Sequence, residues 1–127
     1  MNLKVLAKIF AIYKFAPDVT LPGWIYSSEF YSITRTTEEN SVVCVQRDEI
    51  HDEVVCSRDW RIIKIDDMPD LSSIGIIAEI SDILAGRNIP VFTISTYNTD
   101  YFLVRQQDLA DTSSALIGKG HKIINQN

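Results

Sequence analysis

The first segment of the chain alternates between apolar and polar side chains in a way that is typical of a β-strand. Every second residue from position 3 to position 15 is apolar or aromatic, and three lysines fall on the opposite face. A period of two places successive side chains on opposite faces of an extended chain. The pattern predicts one long strand over residues 3–15, ended by Ala16-Pro17-Asp18. An ordered loop or a single helical turn is expected at residues 21–24.

Two further strands and little helix are predicted in the next part of the chain. β-branched and aromatic residues at positions 29–35 and 41–46 predict strands. Thr36 and the two glutamates that follow it suit one short helical turn between these strands. Residues 47–59 are rich in charge, which favours an exposed excursion with a short strand pairing at Val54-Val55.

The second half of the chain alternates between strand and helix signals. A helix is predicted over residues 74–87, with Ser72 or Ser73 as its cap, because five apolar residues share one of its faces. These residues are Ile76, Ile77, Ile80, Ile83 and Leu84. The other predicted elements are a second helix at 107–117, a loop at 68–70, and strands at 60–66, 91–97, 101–105 and 121–125.

The order of these elements predicts the fold class. Residues 60–125 read β-α-β-β-α-β, which specifies an α+β, ferredoxin-like fold with a four-stranded antiparallel sheet and both helices on one face. The strand-rich residues 1–58 look like a reduced version of the same unit, packed with the complete unit at residues 59–127. A chain of 127 residues is long enough for one compact domain or two small subdomains.

Composition and charge exclude several classes of function. The net charge is −5 and the basic residues are scattered, so the basic patch that favours nucleic-acid binding is missing. No apolar run approaches the ~20 residues of a membrane span, and lysines interrupt the N-terminal apolar segment, so neither a span nor a signal peptide is expected. Cys44 is expected to pack as a small hydrophobe. Both Cys44 and Cys56 are expected to be reduced, and the predicted location is cytoplasmic.

Two polar features point to a binding site for a charged small molecule. The predicted helix start has N–H groups without intrahelical partners, and Gly75 would let an anion approach them closely. Asp100 lies in a predicted hairpin turn at residues 98–100. Together they would bind a zwitterion, with its carboxylate at the helix start, its ammonium at Asp100, and Ser41-Val42 as the opposing wall. In the alternative interpretation, Gly75 only permits close packing and Asp100 only forms a turn.

The motifs of common enzymes and cofactor sites are missing from the sequence. It contains neither a glycine-rich nucleotide-binding motif nor a serine-nucleophile motif. His51 and His121 are far apart and lack acidic or cysteine neighbours at the spacing of metal ligands. His121 is expected at the surface or at the rim of the fold. The chain is therefore interpreted as a binder without cofactor or metal, and not as an enzyme.

Five segments of the chain, taken in order, form the pattern of a known family. They are residues 30–36, 38–44, 60–61, 75–78 and 94–101, and the most specific part is 95–101, STYNTDY. Through these segments the chain resembles the small, stand-alone ACT-domain proteins of bacteria, which are related to the paired ACT modules of the animal cytosolic arginine sensor. The resemblance implies a pair of ACT-like βαββαβ units with an amino acid held between them.

The resemblance also implies which residues hold the ligand. In the arginine sensor a serine-valine pair on one unit, and a glycine and an aspartate on the other, hold the backbone of the effector. The matching positions here are Ser41, Val42, Gly75 and Asp100. Thr99 is implied as a backbone contact, and Ile76 lies beside the ligand side chain. Ala78 stands where the sensor contacts the guanidinium with an acidic residue, so an apolar or small amino acid suits this chain better than arginine.

The expected function is a non-enzymatic regulatory module that binds a free amino acid as an allosteric effector, with a homodimer as a compatible assembly. A structural or dimerisation module with no ligand is the alternative from a different class. An enzyme with an acid–base pair that the sequence does not reveal is a third reading.

Overall fold

The chain forms two compact units. The computed structural model describes residues 1–49, 54–66 and 75–126. The smaller unit is Lys8–Trp60, and the larger unit combines Met1–Ala7 with Arg61–Asn127. The sequence suggested a first unit from residue 1 to residue 58, whereas in this division the first seven residues group with the C-terminal part of the chain.

Strands occur in both units, and both α-helices of the described residues belong to the larger unit. Their bounds are β1 Asn2–Val5, β2 Phe10–Phe15, β3 Ser32–Arg35, β4 Asn40–Val45, β5 Val55–Ile65, α1 Ile76–Ala85, β6 Phe92–Ser95, β7 Asp100–Arg105, α2 Leu109–Gly118 and β8 Lys122–Asn125. Short 3₁₀ turns cover Gly23–Ser27 and Gln106–Asp108. The predicted loop at residues 68–70 lies outside the described residues. None of the helices in the described ranges is long and apolar enough to cross a bilayer.

The larger unit has the predicted β-α-β-β-α-β order, from β5 to β8. Its α+β, ferredoxin-like class is confirmed, because both helices contribute to one apolar core with the sheet. Ile80 and Leu84 of α1 and Leu116 of α2 are at most 1% exposed. The sheet residues of this core are Leu3, Val5, Ile63, Ile65, Phe102 and Val104.

The sheet of the larger unit differs from the four-stranded antiparallel sheet that was predicted. Its strand order is β6-β7-β5-β1-β8, so β1 separates β5 from β8. Strand β1 is antiparallel to β5, with Leu3 opposite Ile65, and parallel to β8, with Leu3 opposite Ile123. Leu3 and Val5 are 0% and 1% exposed, so the side chains of this short strand fill the middle of the core.

The prediction of one continuous strand over residues 3–15 is wrong. Strand β1 ends at Val5 and β2 begins at Phe10. Between them Ala7 and Ile9 are exposed, although their positions continue the apolar alternation. The Ala7 N–H donates to Oε1 of Gln126 at 2.9 Å. The backbone thus leaves the ladder where the chain passes from one unit to the other, between Ala7 and Lys8.

The smaller unit is a sheet of order β3-β4-β2 followed by the first part of β5. The ordered turn predicted at residues 21–24 is present as the 3₁₀ turn, which buries Ile25. Strand β3 is shorter than predicted, since it begins at Ser32. The core of this unit comprises Ala11, Tyr13, Ile25, Val42 and Cys44.

Cys44 packs as a small apolar residue, as the sequence predicted. It is 1% exposed, and burial raises the pKa of its thiol to about 11. Cys56 is free and only partly buried. Because the thiolate is the reactive species, we expect a disulfide reagent at pH 8 to modify Cys56 at least about tenfold faster than Cys44. Absorbance of the released thiol measures both rates, before and after addition of denaturant.

The variant Cys56→Ser is the control for this thiol experiment. It should show no fast phase in the folded state and one reactive thiol after unfolding. A fast phase that persists in Cys56→Ser would mean that Cys44 is accessible to solvent, against the burial described above.

Candidate functional site

The hairpin of β6 and β7 holds the acidic candidate of the site. The turn was predicted at residues 98–100, but the link between the strands is residues 96–99, and Asp100 is the first residue of β7, opposite Ser95. The Thr96 N–H donates to the Thr99 carbonyl at 2.8 Å, and the Thr96 hydroxyl donates to the same oxygen at 3.1 Å. These bonds close the link earlier than the strand pattern suggested.

Thr99 fixes this hairpin to the end of the first strand of the βαββαβ unit. Its side chain is 4% exposed, and its hydroxyl donates to the carbonyl of Ile65, the last residue of β5, at 2.6 Å. Thr99 was expected to contribute its backbone, so its side-chain bond is an additional finding. The bond holds the half-buried Asp100 close to the point where the chain leaves β5 towards α1.

Gly75 is the N-cap of α1. Its φ is +80°, in the left-handed region that glycine adopts without steric cost, and no side chain of a described residue caps the helix. Ser72 and Ser73, the predicted caps, lie outside the described residues, and the N-cap position itself belongs to Gly75. Among the described residues, no atom lies within 4 Å of the position that a Cβ on Gly75 would take. Close packing against the described residues therefore does not explain this glycine, whereas its backbone conformation does.

The first turn of α1 presents backbone donors at its start. The Glu79 N–H donates to the Gly75 carbonyl at 2.8 Å, which closes the first helical turn. The N–H groups of the residues before Glu79 have no partner within a helix of this geometry. Ile76 is half-buried and Ala78 is exposed. The helix start thus combines N–H groups that lack intrahelical partners with small or apolar side chains.

Ser41 and Val42 lie in β4 of the smaller unit. Ser41 is half-buried, opposite Lys14 on β2 and Thr34 on β3. Val42 is 0% exposed, and its side chain belongs to the core of this unit. This value covers the whole residue, so neither the side chain nor the backbone of Val42 is exposed. The other predicted site residues belong to the larger unit, with Thr99 and Asp100 at the β7 hairpin and Gly75 and Ile76 at the start of α1.

Each unit has a hairpin whose link is closed by the same hydrogen bond, a similarity that the sequence analysis missed. Residues 36–39 link β3 to β4, and the Thr36 N–H donates to the Glu39 carbonyl at 2.8 Å, as Thr96 does to Thr99. The predicted helical turn at this place is wrong, although the Thr36 hydroxyl does accept the N–H of Glu39 at 3.1 Å. The shared signal is a threonine followed four residues later by asparagine or aspartate, at Asn40 and at Asp100.

His121 is buried and not a surface residue as predicted. It is 8% exposed, and its Nε2 lies 3.1 Å from Oε1 of Glu79 on α1. Gly120, with φ +93°, turns the chain after α2, and the His121 N–H donates to the Leu116 carbonyl at 3.1 Å. This turn carries the ring inward, which Gly118 and Gly120 before it in the sequence did not indicate.

Comparisons with known proteins agree with this two-unit arrangement. A family model of the ACT domain matches residues 55–117, and a second model, of an N-terminal domain, matches residues 8–60. A crystal structure of a protein from Agrobacterium tumefaciens is 30% identical, with a TM-score of 0.89, and the match covers 99% of this chain and 93% of that one.

More distant structures share the fold. A Vibrio cholerae protein of unknown function is 17% identical, with a TM-score of 0.72, over 93% of this chain and 88% of that one. The regulatory subunit of aspartate kinase from Thermus thermophilus is 11% identical, with a TM-score of 0.62, over 89% of this chain and 93% of that one.

Proposed function

Because the chain belongs to the ACT-domain family, we propose that it is a regulatory module that binds a free amino acid and catalyses no reaction. The observation that carries the proposal is the hairpin anchor, in which the Thr99 hydroxyl holds Asp100 at the end of β5. A carboxylate fixed at this point, beside the last residue of β5, is suited to a small charged ligand.

The start of α1 is the proposed partner of the ligand carboxylate. Gly75 places no side chain beside the first-turn N–H groups, and the aligned peptide dipoles place partial positive charge there. Charge-assisted hydrogen bonds to such groups contribute roughly 1.5–3 kcal/mol each. An α-carboxylate fits this position because it brings two acceptor oxygens and one negative charge.

Asp100 is the proposed partner of the ligand ammonium. It is half-buried, and its backbone is held by the pairing with Ser95 and by the adjacent Thr99 anchor. A site with a separate partner for each charged end rejects ligands that lack one end, because the unmatched group then loses its hydrogen bonds.

Residues of the smaller unit complete the proposed site. By family resemblance, Ser41 and Val42 contact the ligand, which is held between the two units. Ala78 and Ile76 favour an apolar or small side chain on that ligand. The cytoplasmic location predicted from the sequence belongs to the same proposal.

A thermal-unfolding screen with the twenty amino acids tests the proposal. A ligand at ~100 times its dissociation constant should raise the free energy of unfolding by ~2.7 kcal/mol. The N-acetylated and amidated forms of the best ligand should each lose most of this gain, since each lacks one charged end. Asp100→Asn should abolish the gain without changing the melting temperature of the unliganded protein.

Asp82→Asn is the matched control, because Asp82 is an exposed carboxylate of the same unit. It should keep the full response to ligand. If no amino acid raises the melting temperature, the module is not an amino-acid binder, and sedimentation would then test the dimerisation alternative. If Asp100→Asn unfolds the protein, Asp100 is a residue of the fold and not of a binding site.

A further inference from the structure

The smaller unit contains a cleft that none of the predicted site residues line. Its volume is ≈ 450 Å³, within the range of roughly 300–1,000 Å³ that is usual for small-molecule sites. The lining includes Lys8, Trp24, Glu29, Val45, Gln46 and Arg47. The wall thus combines two cations, one carboxylate, an indole and an aliphatic side chain.

The guanidinium of Arg47 is held in place on one side of this cleft. Its central carbon lies 4.7 Å from the centroid of the Trp24 ring, a cation–π contact. The Trp24 ring in turn packs edge-on against Tyr13, with 5.2 Å between the ring centroids. This contact holds the guanidinium against the Trp24 ring.

The backbone of Arg47 is fixed as well. Its N–H donates to the Tyr13 hydroxyl at 3.1 Å, and its carbonyl accepts a hydrogen bond from Nη1 of Arg58 at 3.0 Å. Next to it, the Gln46 side chain exchanges two hydrogen bonds with Asp59, of 2.9 and 2.6 Å. This wall of the cleft is therefore preorganised, which lowers the entropy lost on binding.

The charges of the cleft are not matched to one another within the described part of the chain. No ion pair joins Lys8, Arg47 or Glu29 to another described residue. A planar guanidinium binds a carboxylate through two parallel hydrogen bonds, and the ammonium of Lys8 adds a second positive charge. Glu29 leaves the cleft with a net charge of about +1, which attracts anions. The Trp24 ring and Val45 in the lining favour an anion that has an apolar body over inorganic phosphate.

We propose that this cleft binds a small organic carboxylate, with Arg47 as the bidentate partner and Lys8 as the supporting cation. Trp24 and Val45 contact the apolar body of the ligand. The cleft shares no residue with the proposed amino-acid site, so the two proposals stand or fall separately.

Calorimetry and tryptophan fluorescence test this proposal, since Trp24 lines the cleft. Propionate and succinate should bind saturably, inorganic phosphate should bind more weakly, and neutral succinamide should not bind. Arg47→Gln should weaken succinate binding by about tenfold or more, because it removes a charge-assisted pair of hydrogen bonds. Arg47→Lys should also weaken it, since the charge remains but the planar fork is lost.

Lys14→Gln is the control, because it removes one exposed positive charge from the same unit outside the cleft. It should leave succinate binding unchanged, as should Asp100→Asn, whereas Glu29→Gln should strengthen it. Failure of both carboxylates to bind, tighter binding of phosphate, or equal losses in Arg47→Gln and Lys14→Gln would each overturn the proposal. If Arg47→Gln fails to fold, Lys8→Gln provides the same comparison.

Discussion

Leu84→Ala should lower the free energy of unfolding by roughly 2–5 kcal/mol, whereas Ile77→Ala on the same helix should lower it by less than about 1 kcal/mol. Leu84 is 0% exposed and packs in the core that both helices share with the sheet, so its truncation removes apolar contacts and leaves a cavity. Ile77 is 37% exposed. Urea denaturation followed by helical circular dichroism measures both variants.

The Ile77→Ala variant is the matched control, since it removes a similar volume from the same helix. Similar losses in the two variants would mean that the apolar face of α1 is centred elsewhere than the burial pattern indicates. A changed denaturant slope in Leu84→Ala would mean that the two units no longer unfold together, and the loss would then refer to the larger unit alone.

The contrast between Leu84 and Ile77 shows what periodicity could predict for α1. A period of 3.6 places both residues on one apolar side, and the helix and its face were predicted correctly. The buried residues are Ile80 and Leu84 alone, with Ile77 beyond the edge of the contact. Periodicity locates the centre of an apolar face, but the width of the buried part depends on the sheet beneath it.

Strand β1 marks a further limit of sequence reasoning. Alternation predicted extended backbone at Leu3 and Val5, and both are core residues. The alternation also continues through Ala7 and Ile9, where the chain leaves the ladder, because a local pattern contains no information about strand partners. The insertion of β1 between β5 and β8 depends on contacts with residues about 60 and 120 positions away along the chain.

The sequence placed Asp100 in the correct hairpin, but it assigned Asp100 to the turn and not to the first position of β7. Thr96 and Tyr97 have high strand propensity, so the turn was placed after them. Hydrogen bonds from Thr96 to Thr99 close the link two residues earlier. Side-chain bonds of this kind compete with the strand ladder, and the same bond in the β3–β4 link explains why Thr36 was assigned to a helical turn.

The β3–β4 and β6–β7 hairpins have isosteric residues at one equivalent position, which allows a test by reciprocal substitution. Asn40 and Asp100 are both the first residue after the link, but Asn40 is 0% exposed. Its Nδ2 donates to the carbonyls of Ala16 and Pro17 at 2.9 and 3.3 Å, and its Oδ1 accepts from Nε of Arg35 at 2.9 Å. Both polar atoms of the Asn40 amide are thus hydrogen-bonded, and they attach this hairpin to the end of β2. Thr99 attaches its own hairpin to the end of β5 in the same way.

Asn40→Asp should lower the free energy of unfolding by roughly 2–4 kcal/mol, because a buried carboxylate cannot donate to the Ala16 and Pro17 carbonyls and faces their oxygens instead. Arg35 keeps its acceptor and gains a charged one, so the net loss measures the two donated bonds and the repulsion between the carboxylate and the carbonyl oxygens, less the gain at Arg35. The reciprocal change Asp100→Asn should shift stability by less than about 0.5 kcal/mol, since Asp100 is only half-buried. Chemical denaturation of both variants gives the comparison. Equal losses of stability in the two variants would mean that the carboxylate of Asp100 serves the fold, as the amide of Asn40 does. A loss confined to Asn40→Asp would mean that the fold does not require the carboxylate of Asp100, which is then available for a ligand.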